Sequence, residues 1–469
     1  MASGSEVIVS TGAELAGIQA NLAGVAPVEA GERIASIDAL RGFAVLGILL
    51  MNILDFGLPE ATGSHPTGAS GDSRWNWLTW WVVSVVASGK MRAIFSMLFG
   101  AGVILLTTRA EARGGGERLG DIYTRRNLWL LAFGLAHAYL LWEWDLLFYY
   151  AVVGLMLFPF RVLSPRWLLA LAVAALALDS LLSLQDARAA RSLRDRADAA
   201  RSLAAAGRPL SNCQIEDIRT WDKKIKKPGP EEIADEVRVH RSGYVPLFWH
   251  RAKRVASNES AFFYRRAFLD VFGSMLLGMA LMKLGAFSAA CDRRLFVAMI
   301  LLGYGIGLPL NVVRFYRDQA SGFDPVIVSG GFLSYQAGRL SVALGHVGVL
   351  MLVLQAGWLR GLTARLAAVG RMALTNYLGT TVICYLIFNR PGLGLFGRME
   401  RYQLYLVVLG IWALQLMISP IWLRRFRFGP MEWAWRSLTY WHPQPWRSQD
   451  SPVGPPGSTA VGSAQAAAT

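Results

Sequence analysis

Charge and cysteine are both scarce in this chain. Of 469 residues only 17% are charged, against about a quarter in ordinary soluble domains. The three cysteines, Cys213, Cys291 and Cys384, stand far apart with no C-x-x-C pair and no Cys/His cluster. That spacing excludes a disulfide framework, and no metal site is expected. There is no P-loop, no H-E-x-x-H and no G-x-S-x-G, so the common nucleotide, zinc-protease and hydrolase signatures are missing. The one G-x-G-x-x-G match, GLGLFG at 392–397, follows no strand and reads as a turn. No Lys or Arg precedes Arg33, so the basic start of a signal peptide is absent as well.

What the chain has instead is apolar length. Hydrophobic residues make up 54% of it and the mean hydropathy is +0.36. They fall in blocks near the twenty residues that a spanning helix needs. The blocks lie at 36–57, 91–107, 125–141, 145–162, 166–184, 262–284, 295–313, 332–356, 367–388 and 403–423. The expected fold is therefore all-α, a polytopic transmembrane helical bundle of about ten spans. An eleventh is possible at 75–89, which could also be re-entrant or interfacial. The net charge of +15 comes without an aromatic-interleaved basic domain, so the expected surroundings are anionic lipid headgroups and not nucleic acid.

The organisation reads as a cytoplasmic N-terminal tail over 1–33 and a first membrane half over 34–185. A polar loop at 186–260, taken as periplasmic, separates it from a second half over 261–424. An amphipathic cytoplasmic segment at 425–442 and a disordered tail at 443–469 follow. With the N-terminus inside, Arg109, Arg113, Arg118, Arg125, Arg126, Arg424, Arg425 and Arg427 all sit in short cytoplasmic loops, as the positive-inside tendency asks. Ten spans then put both termini on the cytoplasmic side of a bacterial inner membrane.

Ionisable residues within apolar helices are functional candidates. In the first span Asp38, Arg41, Asn52 and Asp55 form a polar stripe. Arg41 and Asn52 lie within about 20° of each other and about 16 Å apart along the axis. An end-of-helix ion pair between Asp38 and Arg41 is the plainer reading. His137 and Asp145 face each other across a tight hairpin, as a proton-transfer pair or with the acid serving only to orient the His or cap the next helix. Arg339 and His346 share a face of the eighth span. Arg265, Arg266 and Asp270 read as an interfacial ion pair. His65 sits in a solvated loop.

The block SIDALRGFAVLGILLMN resembles the start of the YeiB family of bacterial inner-membrane proteins, whose conserved domain has no assigned function. The likeness continues through FSMLFGAG, HAYLLWEWDLLFYYAVVGL, EVRVHRSGY, GRMALTNYLGTT, which contains Asn376 and Tyr377, and GPMEWAWRSLTYW. It covers about 34 to 442. In its first helix the family is similar to transmembrane acyltransferases, among them cell-surface polysaccharide O-acyltransferases and a lysosomal heparan glucosaminide acetyltransferase. Those enzymes pass an acyl group from cytoplasmic acyl-CoA to an acceptor on the far side. In the O-acyltransferases an Arg is followed eleven positions later by a functional His. Here Arg41 matches and Asn52 holds the His position. The lysosomal enzyme also has Asn there, with its catalytic His in the following loop, where this chain has His65.

Two main readings follow. As an acyltransferase, the chain binds acyl-CoA through Arg41, Asn52 and Asp38 and uses His137 with Asp145, or His65, as general base on a small-molecule or glycan acceptor. As a transporter or export protein, it lines a substrate or proton path with Arg339, His346, Asn376 and Tyr377. A membrane scaffold whose loop at 186–260 binds a partner is the third option.

Overall fold

A computed structural model describes residues 34–60, 73–113 and 116–447. His65, the 1–33 tail and the tail beyond 447 lie outside the described residues. Among those described, all regular structure is helical apart from one isolated bridge between Phe426 and Arg447. Among the described residues six helices are long and apolar enough to cross a membrane, and two shorter ones are apolar as well.

Helix α1 (Ala35–Gly57) runs through the centre of the bundle. Its Asp38 end defines the first face and its Gly57 end the second. The chain returns as α2 (Arg74–Val82), a π-helical turn over Val83–Ala87, and α3 (Lys90–Ala112). Asn76 near the start of α2 bonds Glu400 and Tyr402 at the second face, and Gly89 N–H meets the sulfur of Met51, in the last third of α1. The segment 75–89 is thus the first half of one broken crossing, continuous with the span expected at 91–107. With the break at Ser88–Gly89 inside it, the whole stretch Arg74–Ala112 is one candidate span by length and composition.

Next come α4 (Gly116–Leu140) and α5 (Leu147–Leu157), an antiparallel hairpin that ends in a 3-10 turn over Phe158–Val162. Helix α6 (Pro165–Ala205) has 41 residues, about 60 Å, roughly twice a bilayer core. Its far half is polar and carries α7 (Asn212–Ile225) alongside through Arg196 to Asp217. Lys226 to Gly229 then break the chain before α8 (Pro230–Arg241) and α9 (Tyr244–Ser257), which leads through a π-helical stretch, Asn258–Ala267, into α10 (Phe268–Lys283). The second half continues with α11 (Arg293–Ala320), the short α12 (Pro325–Gly330), α13 (Phe332–Gln355), α14 (Arg360–Arg371), α15 (Ala373–Phe388), α16 (Arg401–Arg425) and α17 (Pro430–Tyr440).

Two departures from the sequence-based expectation concern the first face. Residues 360–371, which take in the end of the connection after the span at 332–356 and the start of the span expected at 367–388, form a separate helix, α14, which packs on the first half of α1. The approach is close enough to require glycine on both sides: a Cβ on Gly42 would lie 2.0 Å from the Leu366 carbonyl oxygen, and one on Gly370 would lie 1.9 Å from that of Asp38. The contact sets Arg371 beside Asp38 and Arg41. At the C-terminus, residues 443–447 fold back on the chain. Arg427 N–H bonds Trp446 O at 3.0 Å and the Trp433 indole bonds Gln444 O at 2.7 Å.

Candidate active site

The hairpin α4–α5 builds the central pair. Gly134 lets the two helices touch, since a Cβ there would fall 2.5 Å from Phe148 N and 3.0 Å from an Asp145 oxygen. His137 and Asp145, eight residues apart, are brought within 2.7 Å (Nδ1 to Oδ1). The second Asp145 oxygen accepts Phe148 N–H at 2.7 Å and so caps α5. Orienting the His and capping the helix, alternatives on sequence grounds, are both filled by this carboxylate, one oxygen to each. With Asp145 ionised, His137 carries its proton on Nδ1, and Nε2 points at the Thr381 hydroxyl of α15, 3.0 Å away. All three side chains are buried, at 3% exposure or less.

Tyr377, one turn before Thr381, completes the cluster. Its hydroxyl accepts Leu146 N–H at 3.2 Å, contacts Asp145 Oδ1 at 3.4 Å, and its ring lies 5.3 Å from the imidazole. Tyr377, Leu146, Leu147 and Tyr150 also close the inner end of a cavity of about 250 Å³. The walls are apolar, including Phe95, Phe99 and Leu106. The mouth, on the first face, holds Arg41, Arg109, Arg126, Arg371 and Arg436 against Asp38 and Glu432. Asp38 and Arg41 form the expected ion pair at 3.1 Å and line the cavity as well. Glu432 of α17 accepts Leu374 N–H at 2.6 Å, Thr375 N–H at 3.0 Å and the Thr375 hydroxyl at 2.6 Å, capping α15. That leaves the mouth predominantly cationic. On the second face the cluster is roofed by Trp142, stacked on Phe56, and by the turn at 141–146, which Arg251 grips through Glu143 at 3.3 Å and Leu140 O at 3.0 Å. Nearby, burial and the Asp145 charge push the Glu259 carboxyl up to about 7.

The other candidates are placed elsewhere. Asn52 lines no part of this cavity. Arg339 is fully buried and held by Asp270, whose carboxylate also takes Arg92 at 2.9 Å and Gln336 at 3.2 Å. Asp270, expected at an interface, faces inward instead and pairs with residues of α3 and α13, while Arg265 is exposed. His346 donates from Nε2 to Val86 O at 2.9 Å, and its Nδ1 shares a 2.7 Å hydrogen bond with the Tyr304 hydroxyl. Asn376 ties the α14–α15 junction to α16 through Val369 O and the Ser419 hydroxyl, both at 3.1 Å. Of the four path residues only Tyr377 joins His137. Thr381, Arg371, Arg436 and Glu432 escape sequence reasoning. Nothing local marks a threonine in GTTVICY, or the arginines of amphipathic segments, as belonging to a site.

An apolar helical bundle with a buried His–Asp pair just beyond the inner end of a basic-mouthed cavity is the architecture of a helical membrane protein. Comparison narrows the class. A profile of the family described as "Protein of unknown function (DUF418)" matches residues 281–442. Over 416 residues the chain is 32% identical to the "Uncharacterized protein YeiB" of Escherichia coli (strain K12), covering 87% of this chain and 96% of that one. Over 433 residues it is 29% identical to the "Uncharacterized protein YxaH" of Bacillus subtilis (strain 168), with 89% and 97% covered. The chain belongs to the YeiB family.

Proposed function

We propose that the protein is a membrane acyltransferase that takes an acyl group from acyl-CoA on the first face and passes it to a hydroxyl or amine acceptor arriving from the second. The supporting observation is the cavity: a cluster of arginines at one end and the His137–Asp145 pair one side chain beyond the other. Arg126 and His137 are eleven residues apart on α4, about 16 Å along its axis, which suits an extended pantetheine arm with its phosphates held at the mouth. Arg41, Arg371 and Arg436 bind those phosphates by charge-assisted hydrogen bonds, with Asp38 fixing Arg41. The apolar walls take the arm and the acyl chain. His137 acts as general base, Asp145 holds its tautomer, and the Tyr377 hydroxyl is the donor nearest the developing oxyanion. The positive-inside tendency makes the first face cytoplasmic, with ten crossings of the bacterial inner membrane and both termini inside.

The test is thermal unfolding of the detergent-purified protein with acetyl-CoA and octanoyl-CoA. Ligand at a hundred times its dissociation constant stabilises the native state by about 2.7 kcal/mol. A rise in Tm that Arg41→Ala or Arg371→Ala removes supports the reading; no rise with either ester defeats it.

A second reading, transport, is favoured by one observation. The α2–α3 crossing is broken midway, and Lys90, Arg92, Arg339 and Asp270 gather near the break, a pattern that transporters use for midplane sites. Proton-coupled flux in proteoliposomes that His346→Ala abolishes is the result that supports it.

A further inference from the structure

Among the described residues, Thr381 supplies the hydroxyl that faces the working nitrogen of His137. The Oγ1 to Nε2 distance is 3.0 Å, Nδ1 to Asp145 is 2.7 Å, and the remaining Asp145 oxygen is pinned by Phe148 N–H. The three groups come from three different elements, α15, α4 and the start of α5. Their order is hydroxyl, imidazole and carboxylate, the arrangement that activates an oxygen nucleophile, and it is recognised by geometry whatever the chain order. Threonine in a helix ordinarily spends its hydroxyl on the carbonyl one turn back. Here that contact, to Tyr377 O, is the longer one at 3.4 Å. Protonation of His137 reverses the shorter bond: Nε2–H then donates to the threonine oxygen, and the hydroxyl proton turns to Tyr377 O.

Position gives this arrangement a use. Tyr377 closes the donor cavity, and Thr381 lies one turn further along α15, about 6 Å towards the second face. Beyond it stand Trp142 and the clamped turn over Leu140 and Glu143. A group that must leave a cavity open to one face and reach an acceptor on the other passes this residue.

We propose that Thr381, His137 and Asp145 form a nucleophilic triad and that the acyl group crosses the protein as an ester on Thr381. The proposal rests on the acyl-CoA reading of the cavity and deepens it. In the first half-reaction the Thr381 oxygen attacks the thioester carbon while His137 Nε2 takes its proton. The tetrahedral adduct expels the CoA sulfur, which receives that proton and leaves as free thiol. In the second, an acceptor hydroxyl attacks the ester carbonyl, His137 takes the acceptor's proton and returns it to the threonine oxygen, and the acylated acceptor departs. The sum is acyl-CoA plus alcohol giving ester plus CoA. This route requires the Tyr377 ring to move aside at the cavity's end, releasing its contacts with Leu146 and Asp145.

The test needs no acceptor. Purified protein is incubated with octanoyl-CoA or acetyl-CoA and isotopically labelled free CoA. A threonyl ester makes the first half-reaction reversible, so label enters the acyl-CoA. Intact mass then rises by one acyl group, lost to hydroxylamine and mapped to the peptide holding Thr381. Thr381→Val, nearly isosteric, is expected to lower exchange by on the order of 10³-fold or more while keeping the rise in Tm with acyl-CoA. Thr381→Ser, which preserves a nucleophile and guards against a folding artefact, is expected to retain both exchange and adduct. If acyl-CoA stabilises the wild type but neither exchange nor adduct is found, transfer is direct: the triad is wrong and the donor site stands. Exchange that persists in Thr381→Val overturns the triad in the same way. Without stabilisation, exchange or adduct from either ester, the donor reading fails and the triad with it.

Discussion

Asp145 divides its carboxylate between His137 and the amide of Phe148, holding the imidazole with one oxygen at 2.7 Å and the first turn of α5 with the other, also at 2.7 Å. The group that orients the imidazole is thus also the one that sets the hairpin.

Removing that residue therefore has two separable effects. Asp145→Asn keeps a carbonyl oxygen for one of the two contacts but loses the charge that selects the Nδ1–H tautomer, so acyl-CoA exchange is expected to fall by about 10³- to 10⁴-fold. Asp145→Ala gives up the cap as well, which costs a further 0.5–2 kcal/mol or so. Melting curves are expected to rank wild type above Asn and Asn above Ala, whereas both variants are nearly inactive. Equal melting temperatures for the two variants would show that the cap contributes nothing.

The basic mouth predicts which part of the donor is recognised. A hydrogen bond to a charged group contributes about 1.5–3 kcal/mol, so Arg371→Ala or Arg436→Ala should each weaken acyl-CoA binding by roughly tenfold or more. Acyl-pantetheine, which keeps the arm and thioester but lacks the nucleotide phosphates, should not raise Tm at the concentration where acyl-CoA does. Added salt should weaken acyl-CoA binding in the wild type more than in either variant, because one cation fewer is screened. Equal binding of the phosphate-free analogue would place recognition in the apolar walls.

How much of this is legible in the sequence depends on distance along the chain. The apolar blocks specify the helical bundle, because period and length are local properties. His137 and Asp145 can be paired because one hairpin brings them together. Thr381, 244 positions from His137, cannot, since a hydroxyl in an apolar helix has the same sequence appearance whether it is used or idle. The α14 helix is not read as an element of its own because its apolar residues cover only one side, leaving its first part too polar to look like a span and its last turn merged with the apolar block at 367–388. Asp270 looks interfacial from its neighbours Arg265 and Arg266, but its partners come from α3 and α13, which sequence spacing does not reveal.

That buried cluster makes a stability prediction of its own. Asp270 is the shared acceptor of Arg92, Gln336 and Arg339, and Arg339 is fully enclosed. Asp270→Asn leaves a buried guanidinium without its counter-charge, a loss of about 3–5 kcal/mol. Adding Arg339→Met to Asp270→Asn removes the stranded cation and should restore part of the stability. A double variant less stable than the single one would show that Arg339 is held by something other than this pair.

The last prediction concerns pH and a residue outside the spans. His240 on α8 stacks flat on Phe396, ring centroids 3.8 Å apart, and shares a 2.7 Å hydrogen bond with Asn389. Burial pushes its pKa down to about 4, with Arg251 and His250 acting in the same direction and Asn389 and Glu143 against it. In the unfolded chain the same group titrates near 6.5. Between those values the unfolded state holds a proton that the folded state refuses, so stability rises with pH across the window and is flat above it. The pH-dependent part amounts to about 3 kcal/mol at most. Lowering the pH from about 7 to about 4.5, across most of that window, is therefore expected to reduce Tm in the wild type by more than in His240→Gln, whose amide can still donate to Asn389 but takes up no proton. The measurement is the difference between the two melting series, which cancels carboxyl groups common to both. Parallel series would mean that His240 ionises in place, with its stack on Phe396 intact.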